Sequence, residues 1–448
     1  MSASKLKTYQ NYIKSNIESV PSYPSHWELK RVKYLIEETD GVKIGPFGSS
    51  LKLNTLTSDG IKIYGQGNVI KNDFTLGHRH LPIERFNSDF SQYEILDGDV
   101  LITMMGTTGK SKVFRKEFKR GIIDSHLMRV RFQKNQFNSD LFVIILQESE
   151  YMFNQVKLKS KGSIMEGLNS SIVKDLYVIK PPIGEQKQIE RFLHRANEQI
   201  SHSIENLESQ QSLIEEKRSA LITQAVTKGL NPGVPMKDSR IDWIGKIPTH
   251  WKIVPLKHLV TINDDVLNEN TPENYEIVYV DIGNVKSGRG IVGSEKLRFE
   301  ASPSRARRIA INGDIAISTV RTYLKAVCVV RNPPPNLILS TGFAVIRPHS
   351  IITEFAGFLL SSEYFVSLVS SHSEGVSYPA INSSEIGNLP VCLPPEDEQI
   401  MIAEYLEKNS TIMNKEKDII ELQITKLKEY KNSLISAAVT GKIDVRGL

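Results

Sequence analysis

The chain has 448 residues, enough for two or three domains with hydrophobic cores, and its 40% apolar and 24% charged residues are typical of a globular protein. Its formal charge of +5 permits a polyanionic partner without requiring one, because clusters of basic residues matter more than net charge. The start of the chain is polar, and no stretch reaches the roughly 18 apolar residues of a membrane span. We therefore expect a soluble, cytoplasmic protein with no membrane partner.

An internal repeat covers nearly the whole chain. The region Ser15–Trp27 is repeated at Ser239–Trp251, and the region Asn169–Thr227 is repeated at Asn382–Thr440. From Asn169 onward the spacing between equivalent residues stays at 213, whereas it varies in the earlier parts of each repeat. Loops tolerate insertions and a heptad pattern does not, so each repeat is interpreted as a loop-rich domain followed by a long helix.

Short runs with strand character, separated by Gly-Asp turns and a few helical segments, indicate that both domains are mixed α and β. The predicted fold class is α+β, with two such domains in tandem repeat. The predicted division of the chain is an N-terminal arm (1–21), a first domain (22–181), a central helix (182–228), a linker (229–247), a second domain (248–394), a C-terminal helix (395–442) and a tail (443–448).

Both helices carry apolar residues at a strict seven-residue interval over five heptads, a pattern that favours supercoiling against another helix. The equal register of the two seams indicates that the helices form an antiparallel coiled coil with pseudo-two-fold symmetry. The alternative is that each helix packs on its own domain. The seam residues are Leu193, Ile200, Leu207, Ile214, Leu221, Leu406, Met413, Ile420, Leu427 and Leu434.

No catalytic motif is complete. Gly106–Ser111 resembles a phosphate-binding loop, but Met104 stands where that motif requires glycine. Asn332–Pro335 lacks the aromatic residue of an adenine methyltransferase motif, and the ten histidines show no metal-ligand spacing. His78–His80 is interpreted as an exposed loop, and the two cysteines as buried apolar residues. We predict no catalytic residue, metal or cofactor in this chain.

The loops of both domains contain residues suited to a polyanion. Lys, Arg, Ser and Thr bind phosphates, while Arg, Asn and Gln read base edges. Because these loops differ between the repeats while the helices agree, two surfaces would read two different sequences, with Arg307 and Arg308 contributing to the second. The predicted DNA-binding residues are Lys43, Ser49, Ser50, Lys52, Gln66, Asn68, Thr107, Thr108, Lys110, Lys112, Asn284, Arg305, Arg307, Arg308, Arg321 and Tyr378.

Several motifs occur in a fixed order. These are the two Pro-x-His-Trp motifs, the loop Ile44–Lys52, the two Pro-Pro-x-x-Glu-Gln helix starts, and the helix ends Leu221–Gly229 and Leu434–Lys442. In these residues the chain resembles the specificity subunits of type I restriction–modification systems. The loop Ile44–Lys52 occurs in the first repeat only.

The resemblance implies two target recognition domains that bind a bipartite site in double-stranded DNA, with the helix pair setting the spacing. It also implies two methyltransferase subunits as partners, which bind S-adenosylmethionine and methylate a flipped adenine, and restriction subunits that join through them. The long helix is also expected to bind the methyltransferase, since both copies keep a Glu-Gln start that packing alone does not explain. This chain would supply recognition and no catalysis.

Two other functions are compatible with parts of the pattern. One is a coiled-coil scaffold that joins two protein-binding domains, which would bind without the strong salt dependence of phosphate contacts. The other is a self-contained methyltransferase, which would have to bind its cofactor unaided.

Overall fold

The structure, a computed structural model, describes residues 7–17, 19–47, 50–160, 168–241, 244–286, 288–322, 325–375 and 379–447. The chain folds into two compact units, Met1–Asn206 with Gln423–Leu448 and Leu207–Leu422. The boundary between the units crosses both long helices, so each unit contains one domain and half of each helix. Within the described ranges, no helix is both long and apolar enough to cross a membrane.

The first repeat contains strands and helices that alternate along the chain and end in one long helix. In order they are β1 (Tyr12–Ile17), β2 (Val20–Pro24), β3 (Glu28–Arg31), β4 (Val42–Ile44), β5 (Ile61–Tyr64), α1 (Gln66–Ile70), β6 (His80–Leu81), α2 (Ile83–Arg85), β7 (Val100–Thr103), β8 (Ser111–Val113), β9 (Gly121–Ile123), β10 (Leu127–Val130), α3 (Ser139–Glu148), α4 (Glu150–Ser160), α5 (Ser170–Asp175), β11 (Tyr177–Lys180) and α6 (Ile183–Lys228).

The second repeat follows the same plan. Its elements are β12 (Met236–Asp238), β13 (Lys246–Pro248), β14 (Lys252–Pro255), β15 (Val260–Ile262), β16 (Glu276–Val280), β17 (Val285–Lys286), β18 (Gly290–Ile291), β19 (Glu295–Arg298), β20 (Ala306–Ile309), β21 (Ile315–Ser318), β22 (Val327–Val329), β23 (Leu337–Ser340), β24 (Phe343–Pro348), α7 (Thr353–Ser361), α8 (Glu363–Ser371), α9 (Ser383–Asn388), β25 (Pro390–Leu393) and α10 (Glu396–Val439).

Each domain is built on two main sheets, whose strand orders match between the domains except for one additional outer strand, β20, in the second. In the first domain, one sheet has the antiparallel order β4-β10-β7-β8, and the other has the order β6-β5-β9 with β5 and β9 parallel. In the second domain, the corresponding orders are β15-β24-β21-β22 and β19-β16-β23-β20, with β16 and β23 parallel. The central strands are buried along their length, as their apolar sequences predict. The predicted α+β class, with two mixed domains in tandem, is confirmed.

Asparagine residues start equivalent short helices in the two repeats. Asn169 Oδ1 accepts a hydrogen bond from the backbone N–H of Ile172 at 2.9 Å, which caps α5. Asn382 starts α9 in the same place, and the backbone N–H of Asn382 donates to Glu385 at 3.1 Å, which forms a capping box. An N-terminal cap of this kind contributes about 1 kcal/mol to helix stability. These helices lie directly before the last strand of each domain.

The two long helices run antiparallel within each unit. In the second unit, Arg218 of α6 donates to Asn414 of α10 at 3.0 Å, and Glu215 forms an ion pair with Lys417, so residue numbers rise along one helix as they fall along the other. In the first unit, Leu193 shares a core with the C-terminal end of α10. Both helices also pack on the domains. Leu193 of α6 and Leu434 of α10 lie in the core of the first unit, and Ile222 of α6 and Leu406 of α10 lie in the core of the second.

The heptad positions face inward in both helices. Burying one Leu or Ile side chain contributes about 1.5–3 kcal/mol, so this seam is a large part of what holds the pair together. Among the seam residues, Leu193, Ile200, Leu406, Met413, Ile420 and Leu434 are buried, and Leu207, Ile214, Leu221 and Leu427 are partly buried.

The Glu-Gln start of each long helix is a structural joint. Glu185 accepts hydrogen bonds from Trp27 Nε1 at 3.0 Å and contacts His26 Nε2 at 2.8 Å, which ties the Pro-x-His-Trp motif to the helix. Gln186 is fully buried, and its amide bonds to the backbone of Asn138, Gln136 and Pro181 at 2.7–3.1 Å. Internal packing therefore explains these residues, so the repeated Glu-Gln start does not itself indicate a methyltransferase contact, and that contact of the long helices stays a prediction.

The second repeat contains the same joint. Glu398 accepts from Trp251 Nε1 at 3.0 Å and contacts His250. Gln399 accepts from the backbone N–H of Ile352 at 2.9 Å and donates to the Pro394 carbonyl at 2.9 Å. The helix starts agree between repeats because equivalent side chains make equivalent bonds inside each unit, with one additional bond, to the Gln136 carbonyl, in the first.

Candidate nucleic-acid interface

Several loops of the first domain leave their sheets at one edge. The register places Ile44 opposite Met128 and Thr103 opposite Leu127, so the end of β4, the start of β10 and the β7–β8 hairpin lie together. The parallel strands β5 and β9 end at the same edge, because β9 leads through a short turn into β10. We call residues 45–47, 65–66, 79, 104–110 and 124–126 the first strand-end edge.

The β7–β8 hairpin presents predicted residues to solvent at this edge. Thr107, Thr108 and Lys110 are exposed, and Lys112 is partly buried on β8. The turn is closed by the backbone N–H of Thr103 donating to the Lys110 carbonyl at 2.9 Å. Two hydroxyls and a primary amine on a rigid hairpin tip are suited to contact with phosphate oxygens.

The loop after β4 starts at the edge and runs away from it. Ser50 and Lys52 are exposed farther along this loop, where Arg85 holds the Ser50 carbonyl with a hydrogen bond of 3.0 Å. Lys43 lies within β4 and donates to the Gln92 side chain at 3.2 Å. Ser49 lies outside the described residues.

Gln66 and Asn68 follow β5 but have different surroundings. Asn68 is 5% exposed, its Oδ1 accepts from the Gly65 N–H at 3.0 Å, and its Nδ2 donates to the carbonyls of Asp73 and Leu76. Asn68 therefore shapes the loop and does not face solvent. Gln66 is partly buried, and in the described part of the chain its Oε1 has no hydrogen-bond partner.

One arginine at this edge was missed by the sequence analysis. Arg79 stands just before β6, its Nη2 donates to Asp124 Oδ2 at 2.8 Å, and its side chain is 46% exposed. Asp124, which directly follows β9, is nearly buried, and its Oδ1 accepts from the backbone N–H of His126 at 3.0 Å. An acidic residue directly after a buried strand was the available signal, but its partner is 45 residues away in the sequence.

The second domain has a corresponding edge. Ser318 pairs with Phe343 and Ile317 with Val327, so the end of β21 and the starts of β24 and β22 lie together. The parallel strands β16 and β23 also end there, because β23 leads into β24. We call residues 263, 281–284, 305, 319–322, 325–326 and 340–342 the second strand-end edge.

Of the three clustered arginines, the structure brings Arg305 to this edge. Its Nη2 donates to Asp281 Oδ2 at 2.7 Å and its Nε to the Tyr279 hydroxyl at 3.0 Å, while its side chain is 55% exposed. The Tyr279 hydroxyl and the Asp281 carboxylate raise the pKa of Arg305. The guanidinium is therefore fixed in direction and carries its charge at any physiological pH.

Arg307 and Arg308 lie farther along β20, away from the edge. Arg307 lies over the ring of Phe299, with its Cζ 5.0 Å from the ring centroid. Burial lowers the pKa of Arg308, and within the described ranges its Nε has no hydrogen-bond partner. The structure thus separates these two arginines from the residues that can face a ligand at the edge.

The other predicted residues of the second domain lie near the edge. Asn284 is partly buried in the turn after β16, where its N–H donates to the Asp281 carbonyl at 2.9 Å. Arg321 is exposed in the left-handed region at φ 52°, and its N–H donates to the Pro379 carbonyl at 2.8 Å. Tyr378 lies outside the described residues.

No group of three or more His, Cys, Asp or Glu residues suited to a metal ion occurs in the part of the chain that the structure describes. Both cysteines are buried and unpaired, as expected, and burial raises the pKa of each thiol to about 12.

Comparison with known proteins identifies the class. A sequence profile of the type I restriction modification DNA specificity domain matches residues 42–210 and 248–423, which together are well over half of the chain. The chain therefore belongs to the family of type I restriction–modification specificity subunits, and its two domains are target recognition domains.

Two relatives come from Methanocaldococcus jannaschii. The specificity subunit of the type I restriction enzyme MjaVIII is 25% identical in an alignment of 341 residues that covers 74% of this chain and 76% of the relative. The putative MjaX specificity subunit is 23% identical in an alignment of 460 positions that covers 98% of this chain and 97% of the relative.

Solved structures share the fold. A chain from a structural study of complex assembly and conformational transition in the type I R-M system matches with a TM-score of 0.69 and 16% identity, over 94% of this chain and 99% of that one. The HsdS subunit from Thermoanaerobacter tengcongensis matches with a TM-score of 0.53 and 16% identity, over 94% and 98% of the two chains.

Proposed function

We propose that each target recognition domain binds one half of a bipartite DNA site through its strand-end edge, and that the chain positions partner subunits without catalysing a reaction itself. The observation that carries this proposal is the gathering of exposed polar and cationic residues from several strands at one edge of each domain. The loops at these edges differ between the domains, so the two half-sites differ in sequence. The helix pair sets the spacing between them.

The hairpin tip supplies backbone contacts. Lys110 with Thr107 and Thr108 would bind phosphate oxygens and fix the register of the first domain on the duplex. Lys52 would add a contact farther along the DNA. Each neutralised phosphate releases counterions, so each lysine lost should lower the slope of log affinity against log salt by about 1.

The C-terminal helix carries a surface suited to a methyltransferase subunit. Between residues 396 and 422 an exposed apolar stripe runs beside the buried seam at nearly the same heptad spacing. This spacing fits an amphipathic helix of the partner, because heptad seams pair with heptad seams. The stripe consists of Met401, Tyr405, Ile412, Ile419 and Leu422, and the equivalent residues of α6 are Gln188, Phe192, Gln199, Asn206 and Ser209.

The methyltransferase would bind S-adenosylmethionine and methylate adenine N6, and restriction subunits would join through it to cleave DNA. This chain's own residues would bind both half-sites and hold the partner beside them. The adenine must leave the base stack to react. A recognition subunit that binds the DNA on both sides of that adenine would hold the duplex in place during the reaction.

DNA binding is tested with the full chain and its methyltransferase subunits on duplexes of defined sequence at several salt concentrations. We expect protection of a split site and an affinity that falls steeply with salt. Equal affinity for all duplexes would contradict sequence recognition. Absence of DNA binding together with salt-insensitive protein association would favour the alternative, a coiled-coil scaffold for two protein-binding domains.

The stripe is tested by the double substitution Ile412→Glu and Ile419→Glu. Two buried apolar contacts would be lost, so methyltransferase affinity should fall at least about 100-fold in a pull-down titration. The matched control is Gln199→Glu with Asn206→Glu on α6, which should leave affinity within about threefold. Equal effects of the two pairs would show that added charge, and not the stripe, matters.

A further inference from the structure

Each strand-end edge contains one arginine fixed by one carboxylate. In the first domain, Asp124 holds Arg79 with Oδ2 and the backbone N–H of His126 with Oδ1, at 2.8 and 3.0 Å. In the second, Asp281 holds Arg305 with Oδ2 and the backbone N–H of Ile282 with Oδ1, both at 2.7 Å. In both cases the aspartate directly follows one strand of the parallel pair.

The same arrangement is built from different elements in the two domains. In the first, the arginine precedes the outer strand β6 and reaches past the end of β5 to an aspartate at the end of β9. In the second, the arginine precedes the opposite outer strand, β20, and reaches past the end of β23 to an aspartate at the end of β16. The arginine therefore comes from opposite sides of the two sheets.

Strand register shows that neither pair is a copy of the other. The register of the parallel and antiparallel strands makes Asp281 the counterpart of Gly65, and Glu295 the counterpart of Arg79. A Cβ atom on Gly65 would lie 2.8 Å from Asp124 Oδ2 and 3.1 Å from Arg79 Nη2, so the first arrangement needs glycine at that position. A pair inherited through duplication of the repeat would use equivalent residues in both domains. Because these two pairs use non-equivalent residues, duplication does not explain them.

The chemistry of a held guanidinium points to a particular ligand. Among the described residues, Arg79 Nε and Nη1 have no hydrogen-bond partner, and for Arg305 the same is true of Nη1. A planar guanidinium fixed at one end presents a fork of parallel N–H donors at the other. Guanine offers two adjacent acceptors, O6 and N7, in the major groove, and arginine is its most common partner there.

We propose that Arg79 and Arg305 each read a guanine, so that each half of the bipartite site contains a G·C pair at the position facing its arginine. This inference rests on the proposed function of the two edges in DNA binding. Asp124 and Asp281 are positioning residues, which aim the guanidinium and reduce the conformational freedom lost on binding.

The test uses the full chain with its methyltransferase subunits and a DNA library randomised over the bipartite site, with bound sequences read after selection. Arg79→Ala should abolish the guanine preference at one position of the first half-site and weaken binding to the original site by about 5- to 150-fold. The second half-site should keep its preference. Arg305→Ala should give the reciprocal result.

Matched controls come from arginines that neighbour an acid at the opposite end of the sheets. Arg115 follows β8 and forms an ion pair with Asp140. Arg298, the last residue of β19, lies opposite Glu276, the first residue of β16, and near Glu300. Arg115→Ala and Arg298→Ala should leave both base preferences unchanged. Arg79→Lys keeps the charge and should relax the guanine preference while retaining most of the affinity for unrelated DNA.

Crowding the pair gives a test that leaves the arginine in place. Gly65→Ala should displace the guanidinium and relax the same base position as Arg79→Ala, with thermal unfolding measured in parallel to verify folding. Loss of affinity on all sequences alike would make Arg79 a phosphate contact and overturn the inference, as would an unchanged motif. A wild-type complex that selects no motif would instead overturn the proposed function.

Discussion

The arginine–aspartate pairs at the two ends of each recognition domain differ in burial and in whether the two repeats use equivalent residues. At the end away from the strand-end edge, Asp99 accepts two bonds of 2.7 Å from Arg131, and Asp314 accepts bonds of 2.8 and 3.0 Å from Arg347. Both aspartates are 1% exposed and occupy equivalent Gly-Asp turns. At the strand-end edges, the arginines of the corresponding pairs are about half exposed, and the pairs are formed by non-equivalent residues. Agreement between the repeats marks the framework, and disagreement marks the surface that we propose binds DNA.

The largest expected effect comes from breaking the framework pair. Asp99→Asn removes one of the two carboxylates that face Arg131 and the fully buried Arg129, while Asp40 remains beside both. The free energy of unfolding should therefore fall by about 3 kcal/mol in a urea titration. Asp314→Asn should lower it less, since Asp314 faces one arginine where Asp99 faces two, and that arginine, Arg347, is more exposed. A loss below about 1 kcal/mol for both variants would contradict the assignment of this end as the framework.

The helix joints give a smaller effect that also differs between repeats. Gln186→Ala leaves one backbone N–H and two carbonyls of the first unit without their partner and should lower the free energy of unfolding by about 2–3 kcal/mol. Gln399→Ala removes two such bonds and should lower it by about 1–2 kcal/mol. Thermal unfolding of both variants checks the order, and the reverse order would contradict the bond-by-bond explanation.

At the edge, substitutions should change binding and leave stability intact. Thr107→Ala with Thr108→Ala removes two exposed hydroxyls, so affinity for the first half-site should fall about tenfold while the free energy of unfolding changes by less than about 0.5 kcal/mol. Competition binding with duplexes altered in one half-site measures this. Because these hydroxyls are proposed to bind phosphate oxygens, the loss should be equal for altered and unaltered first half-sites, and a loss confined to one base sequence would contradict that assignment.

The framework was predictable from the sequence because its signals are local or periodic. The heptad seams predict both long helices, and the Gly-Asp turns that the two repeats share, at Asp99 and Asp314, mark equivalent positions. For the strand-end edges, the sequence indicated which types of residue would be present but not which of them would lie together. Asn68 has the right chemistry but is buried by its own loop, and Arg79 was passed over because its partner, Asp124, is brought beside it by the parallel pairing of β5 and β9. Strand pairing decides which polar residues face the ligand, and a single sequence does not specify it.

The smallest expected effect can separate the two units experimentally. Both cysteines of the chain, Cys328 and Cys392, lie in the second unit, so their reactivity reports on that unit alone. Burial raises the pKa of each thiol to about 12, against roughly 8.5 in an unfolded chain. The protonated thiol is thus favoured in the folded state, and the stability it contributes is full below about pH 8.5 and lost as pH rises toward 12.

At pH 8 the folded protein should react negligibly with a thiol reagent, and both thiols should react after denaturation. Asp314→Asn should speed the labelling because it opens the second unit more often, whereas Asp99→Asn acts in the first unit and should leave the rate unchanged. Equal acceleration by both variants would mean that the two units open together. In that case the helices they share, and not the domain framework, would govern the stability of each recognition domain.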